Sequence, residues 1–240
     1  MSNSVYHIPT PNLLLALSLV LLVILIHARW SLQARTLIYA TVRMILQLVL
    51  VGFALIYIFN QKSQIIICLV LSVMLIIASW ISLHPIKALR RKLYTRAFLS
   101  LFAGCTFTLI VIVAGVIRLT PWYEPRYLIP LAGMIFANAM NALSLAAERF
   151  QSEVERNVEF TKARAVAFQA GMLPLINSFF AVGLVSLPGM MTGQILAGVS
   201  PLVAVRYQVM VMCMLFGASG ISTAIYLSML KHTNVGSLES

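Results

Sequence analysis

The chain is short of charge, and above all of acid. Only 10% of its 240 residues are charged, and the six acidic ones are all glutamate: Glu124, Glu148, Glu153, Glu155, Glu159 and Glu239. Soluble globular chains carry about 25% charged residues. None of the six lies deep in an apolar run, so no intramembrane carboxylate is on hand to relay protons, which argues against a proton-coupled transporter. Cysteine is scarce too. Cys68, Cys105 and Cys213 form no C-x-x-C pair and sit in apolar stretches. That excludes a zinc or dithiol signature and leaves small packing residues. His7, His27, His84 and His232 are scattered without ligand spacing. There is no G-x-x-x-x-G-K-[ST], no H-E-x-x-H and no G-x-S-x-G, so the chain has no phosphate-cradling loop of its own and no familiar catalytic constellation. An enzyme is not expected, and no cofactor is expected in this chain.

What fills the sequence is apolar residues, 61% of the total, with a net charge of +11. A fold of this length has no interior large enough for so much apolar surface unless lipid supplies the surroundings. A bilayer core about 30 Å thick takes about 20 helical residues. Seven runs qualify: Leu13 to Ile26, Thr36 to Phe59, Gln64 to Leu83, Ala97 to Ile117, Leu128 to Ala147, Leu173 to Gly198 and Tyr207 to Leu230. The first has no Lys or Arg before it, unlike a secretory signal, and reads as a retained helix. The expected fold is therefore all-α, a polytopic membrane protein with about seven transmembrane helices and one membrane domain over residues 1–240. The basic residues fall between the runs. Topology and anionic lipid headgroups account for them without nucleic acid. Counting Lys and Arg, the connections after runs one, three and five with the C-terminal tail hold 12, the other connections hold 4, and Arg43 lies within run two. By the positive-inside rule the N-terminus is outside and the C-terminus cytosolic, with His84 to Arg96 and Glu148 to Arg164 facing the cytosol.

The polar residues inside the runs are candidates for work. Tyr39, Arg43 and Gln47 form one stripe. Arg43 either snorkels to the cytosolic surface or makes a structural or gating contact. Asn138 and Asn141 share a face with Met134 one turn earlier, either as interhelical glue or lining a wet path. The sixth run contains Pro188, Gly189, Met190, Met191, Gly193 and Gln194. Pro188 bends or breaks a helix, and Gly189, Gly193 and Ala197 at spacings of four let another helix approach closely. This element is expected to meet the Asn138 and Asn141 face. Met210, Cys213, Met214 and Gly217 share a face of the last run, with Met212 pointing away. They serve core packing or a soft-metal face.

The string Gly183 to Gly193, with Tyr207-Gln208-Val209-Met210-Val211 after it, resembles the signature of the FetB-like ABC permease family. Pro130 to Met134 followed by Asn138-Ala139-Met140, and Val42-Arg43 with Gln47-Leu48 and Val51-Gly52, are similar to that family's fifth and second spans. The resemblance runs over nearly the whole chain. It implies a permease subunit in a bacterial inner membrane, working as a homodimer with a separate P-loop ATPase that binds ATP and Mg. It also implies a metal ion as cargo, with iron export in bacteria and aluminium tolerance in plant relatives. Family members carry a longer cytosolic loop between spans five and six, with a Leu-Gly-Ala-Thr element. The segment Glu148 to Arg164 lacks it and is several helical turns shorter. Coupling to the ATPase is expected to fall on Glu148, Glu153, Glu155, Arg156 and Glu159. The rival class is a passive channel or a regulatory membrane subunit.

Overall fold

The structure, a computed structural model, describes residues 9–30, 32, 34–60 and 63–230. His7, His232 and Glu239 lie outside the described residues. The chain divides into two units, Met1–Gln61 and Lys62–Ser240.

The first unit is a helical hairpin. Helix α1 (Thr10–Arg29) starts behind Pro9 with a second proline in its first turn, where a missing N–H costs nothing. His27 and Arg29 occupy its last turn, the negative end of the helix dipole. Helix α2 (Ala34–Ile58) follows. Neither helix buries any of its most apolar window. Helices apolar all round need lipid or protein about them.

The second unit holds six helices: α3 (Gln64–Ser82), α4 (Arg90–Ile110), α5 (Pro125–Glu155), α6 (Phe160–Ala181), α7 (Gly189–Leu196) and α8 (Pro201–Met229). A π-helical turn, Val111–Ile117, prolongs α4 until Arg118 takes a left-handed conformation. Helix α5 is the hub, packing on α3, α4, α6 and α8. At 31 residues it is about 46 Å long. Small side chains run through the core between larger ones such as Leu101, Ile135, Leu143 and Tyr226, with Ala97, Ala132, Ala139, Ala146, Ala163, Ala167 and Ala218 fully buried. Without a hydrophobic force between helices in lipid, association rests on such close packing. Two glycines mark the tightest approaches. A Cβ on Gly104 would lie 2.7 Å from the backbone nitrogen of Ser222, and one on Gly171 would lie 2.5 Å from the carbonyl oxygen of Ala142.

All described regular structure is helical, and six helices are long and apolar enough to cross a membrane: Pro11–Arg29, Ala34–Ile58, Gln64–Ser82, Arg90–Ile117, Pro125–Glu155 and Pro201–Met229. The expected sixth run, Leu173 to Gly198, is not one helix, which corrects the sequence reading. Helix α6 starts much earlier, at Phe160, and stops at Ala181. A turn follows in which Gly183 has φ +83° and the N–H groups of Leu184, Val185 and Ser186 all point back to the Ala181 carbonyl. Pro188 does not kink a helix; it is the N-cap of the short α7. A residue without an N–H cannot continue α6 but starts a new helix freely. Gly198, at φ +89°, ends the α7 segment.

Helices also replace most of the expected loop Glu148 to Arg164. Glu148, Glu153 and Glu155 belong to the last turns of α5, and α6 begins at Phe160. Only Arg156 to Glu159 turn the chain, with Asn157 at φ 59°, a conformation asparagine tolerates better than most residues.

Candidate cavity between helices five, seven and eight

Helices α5, α7 and α8 surround a cavity of about 460 Å³, within the range of small-molecule sites. From α5 come Arg126, Tyr127, Pro130, Leu131 and Met134; from α7, Met190 and Gln194; from α8, Val203, Tyr207 and Met210. Ile117 and Val199 complete the wall. The helix registers explain the convergence. Arg126, Pro130 and Met134 are spaced by four on one face of α5, as are Met190 and Gln194 on α7. Val203, Tyr207 and Met210, spaced by four and then three, share a face of α8.

The chemistry of the wall is uneven. Most of it is apolar or thioether. Gln194 Oε1 is buried without a hydrogen-bond partner among the described residues. Pro130 lies inside α5 and cannot donate to the carbonyl of Arg126 one turn earlier, which leaves that acceptor open. Arg126 is exposed and forms no ion pair among the described residues. It is the one charged side chain in the lining.

Four residues picked from the sequence therefore share this cavity: Met134, Met190, Gln194 and Met210. Others lie elsewhere. Met214 is 1% exposed and part of the apolar core. Met191 lines a separate apolar groove of about 370 Å³ with Met212, Cys213 and Gln208. Cys213 thus shares a face with Met212 and not with Met214, against the expected grouping. Asn138 and Asn141 do not meet α7. They line a pocket of about 100 Å³ with Gly171, Pro174 and Ser178 of α6, and Asn138 Nδ2 donates to the Met134 carbonyl at 2.9 Å. Gly189 and Gly193 face open space, with no atom within 4 Å of an added Cβ, so they do not mediate close packing. Arg43 and Gln47 sit with Tyr39 on exposed positions of α2 in the first unit.

Sequence reasoning missed Arg126, Pro130 and Tyr207. The i, i+4, i+8 spacing of Arg126, Pro130 and Met134 is the signal for the first two; Tyr207 shows only once α8 folds against α5.

A second cleft, of about 590 Å³, lies at the opposite end of α5. The turn Pro85 to Leu89 meets Glu148, Gln151, Ser152 and Glu155 there. Gln151 Nε2 donates to Glu155 Oε1 at 3.2 Å. Glu153 points elsewhere. It is 7% exposed and pairs with Arg149 at 2.6 Å, although its Oε1 accepts no well-aligned hydrogen bond.

Helix lengths, apolar surfaces and small-residue packing define a multi-pass α-helical membrane protein. The chain belongs to the uncharacterised protein family UPF0014, whose profile matches residues 10–234. It is 37% identical over 202 residues to the UPF0014 membrane protein slr1647 of Synechocystis, covering 78% of each chain. It is 33% identical over 248 residues to the "Probable iron export permease protein FetB" of Escherichia coli, covering 95% of this chain and 94% of FetB. With the protein ALUMINUM SENSITIVE 3 of Arabidopsis thaliana the identity is 32% over 230 residues, covering 88% and 83%. No solved structure matches.

Proposed function

We propose that the chain is the membrane-spanning permease subunit of an ATP-driven transporter that exports metal ions, iron among them. ATP and Mg are bound and hydrolysed on a separate P-loop ATPase, and two copies of the permease form the membrane core in a bacterial inner membrane. The observation that carries this reading is the similarity to FetB over nearly the full length of both chains. The cavity between α5, α7 and α8 supplies a place for cargo. The cleft between Pro85 to Leu89 and the end of α5 supplies a face for the ATPase, since it joins the two segments that the charge count assigns to the cytosol. The aligned stretch with FetB, 248 positions, is longer than the 240 residues of this chain. The relative thus has residues without a counterpart here.

The test is reconstitution. The chain is coexpressed with candidate P-loop ATPases, the copurifying complex is placed in vesicles, and ATP-dependent iron movement is followed. Metal-stimulated ATP hydrolysis and iron accumulation in inside-out vesicles are expected. Iron movement that is indifferent to ATP would replace the permease with a passive channel. ATP hydrolysis by the partner that is unchanged by the chain's presence would remove the coupling.

A further inference from the structure

We propose that the cavity between α5, α7 and α8 takes its cargo as an anion: a metal ion already wrapped in a small oxygen chelator and held through Arg126. The inference rests on the reading of the cargo as a metal, and concerns the form in which that metal binds.

Donor chemistry comes first. Hard cations bind through several anionic or carbonyl oxygens. The cavity has no carboxylate, imidazole or thiol in its lining, and the described residues contain no group of three or more His, Cys, Asp or Glu able to hold a metal. A bare iron ion entering here would lose its water without gaining anionic ligands. The nearest acidic side chain in sequence, Glu124, precedes Arg126 by two residues and stays out of the lining.

Charge points the same way. Arg126 contributes the cavity's one formal charge, and no described carboxylate neutralises it. Helices α5 and α8 both begin at this end, at Pro125 and Pro201, so their positive ends add to it. A bare cation is repelled by this arrangement, whereas a carboxylate-coated complex is drawn in. The guanidinium fork matches a carboxylate with two parallel hydrogen bonds.

Shape and polarity complete the fit. About 460 Å³ is far more than one ion fills. Thioethers adapt to irregular outlines, and Met134, Met190 and Met210 can close around a bulky complex without ligating its metal. Gln194 places in the wall a buried Oε1 without a partner among the described residues, an acceptor for a chelator's hydroxyl or a water carried on the metal.

The experiment uses the purified full chain in detergent, without ATP or a partner, and equilibrium dialysis against five probes. These are ferric citrate, citrate alone, inorganic phosphate, ferrous sulfate under reductant and silver nitrate. Ferric citrate is expected to bind. Arg126→Gln should weaken it about tenfold or more, the scale of one lost charge-assisted contact, while Arg126→Lys retains part of the affinity. Replacing Met134, Met190 and Met210 together by Leu should change it by no more than about twofold. Tight binding of silver or ferrous ion that disappears with the three Leu substitutions would overturn the proposal in favour of a thioether cation site. Citrate or phosphate binding as tightly as ferric citrate would overturn it by removing the metal. So would ferric citrate binding that ignores Arg126→Gln in a well-folded variant, or no binding at all. Failure of ATP-driven transport in vesicles would sink the permease reading and leave this binding result intact. Transport that proceeds from chelator-free ferrous iron would sink this proposal alone.

Discussion

Glycine shows how much a single position depends on what lies opposite it. The sequence draws the eye to Gly189 and Gly193, spaced by four in an apolar run. Yet the space beside them is open, and the helices touch at Gly104 and Gly171. Spacing reports only that a small-residue stripe exists; the partner helix decides whether it is used. The two sets of glycines therefore respond differently to substitution. Gly171→Leu drives its side chain into the Ala142 carbonyl on α5, and Gly104→Leu into the Ser222 backbone on α8. Neither backbone group can step aside as a flexible side chain would. Overpacking of this kind costs about 1–3 kcal/mol and sometimes more, so both variants should lose several degrees of thermal stability in detergent or fail to accumulate. Gly189→Leu should stay within about 0.5 kcal/mol of the parent, as unconstrained surface changes do. Equal damage at Gly189 and Gly171 in parallel melting curves would show that a partner surface covers α7. The cavity residues obey the same logic. Met134, Met190, Gln194 and Met210 stand out as polar or soft groups in apolar runs, whereas Arg126 reads as an ordinary flanking charge until α8 and α7 fold against it.

At the scale of elements, long apolar runs told most of the fold. The helices α2, α3 and α8 follow the expected runs closely, because a bilayer leaves a lipid-facing backbone no option but the helix. The failure came in the stretch from Leu173 to Gly198. A helix, a turn and a second short helix have the same apolar composition as one span when the turn satisfies its own N–H groups, as Leu184 to Ser186 do against Ala181. Hydropathy cannot separate the two cases; Gly183 and Pro188 held the information as a stop and a start. The connection after α5 shows the reverse case, since its charge reads as a loop where helix persists to Glu155. That persistence changes how coupling should be tested. Replacing Glu148 to Arg164 wholesale would unravel two helices, so point changes in the cleft are the sharper tool. Glu148→Lys with Glu155→Lys reverses two charges facing Pro85 to Leu89 and leaves the pair of buried Glu153 with Arg149 alone. Exposed ion pairs are worth about 0–1 kcal/mol each, so the double variant should reduce copurification of the ATPase several-fold without shifting the melting temperature of the chain. Full copurification with an intact melt would place the ATPase on another surface.

Across the molecule, the second unit carries an orientation argument that needs nothing from the first. The turn before α4 and the end of α5 line one cleft, so they lie at the same end of the bundle. The starts of α5 and α8 meet at the cavity, which marks the other end. Helix α8 runs from the cavity end along α4 and α5, passing Gly104 of α4 at Ser222, and its 29 residues, about 44 Å, carry it toward the first end. Lys87, Arg90, Arg91, Lys92 and Arg96 sit at the cleft end, with Arg149, Arg156, Lys162 and Arg164. The cavity end has Arg118, Arg126 and Arg206. Positively charged flanks stay in the cytosol, so the cleft end should be cytosolic and the cavity should open toward the outside. This assignment requires α6 to cross, although it is not among the six helices long and apolar enough to span by composition. At 22 residues it is about 33 Å long, enough to reach from one end to the other, and its packing on both α5 and α8 matches a crossing. A reporter active only in the cytosol, fused after Leu230 and separately inserted after Lys87, should be active in both places. One inserted in the Arg118 to Glu124 connection should be silent. If the fusion after Leu230 were silent while the one after Lys87 stayed active, α6 would not cross, and the cavity would lose its opening to the exterior. Activity confined to the Arg118 to Glu124 insertion would invert the whole unit and turn an exporter's exit into an entrance.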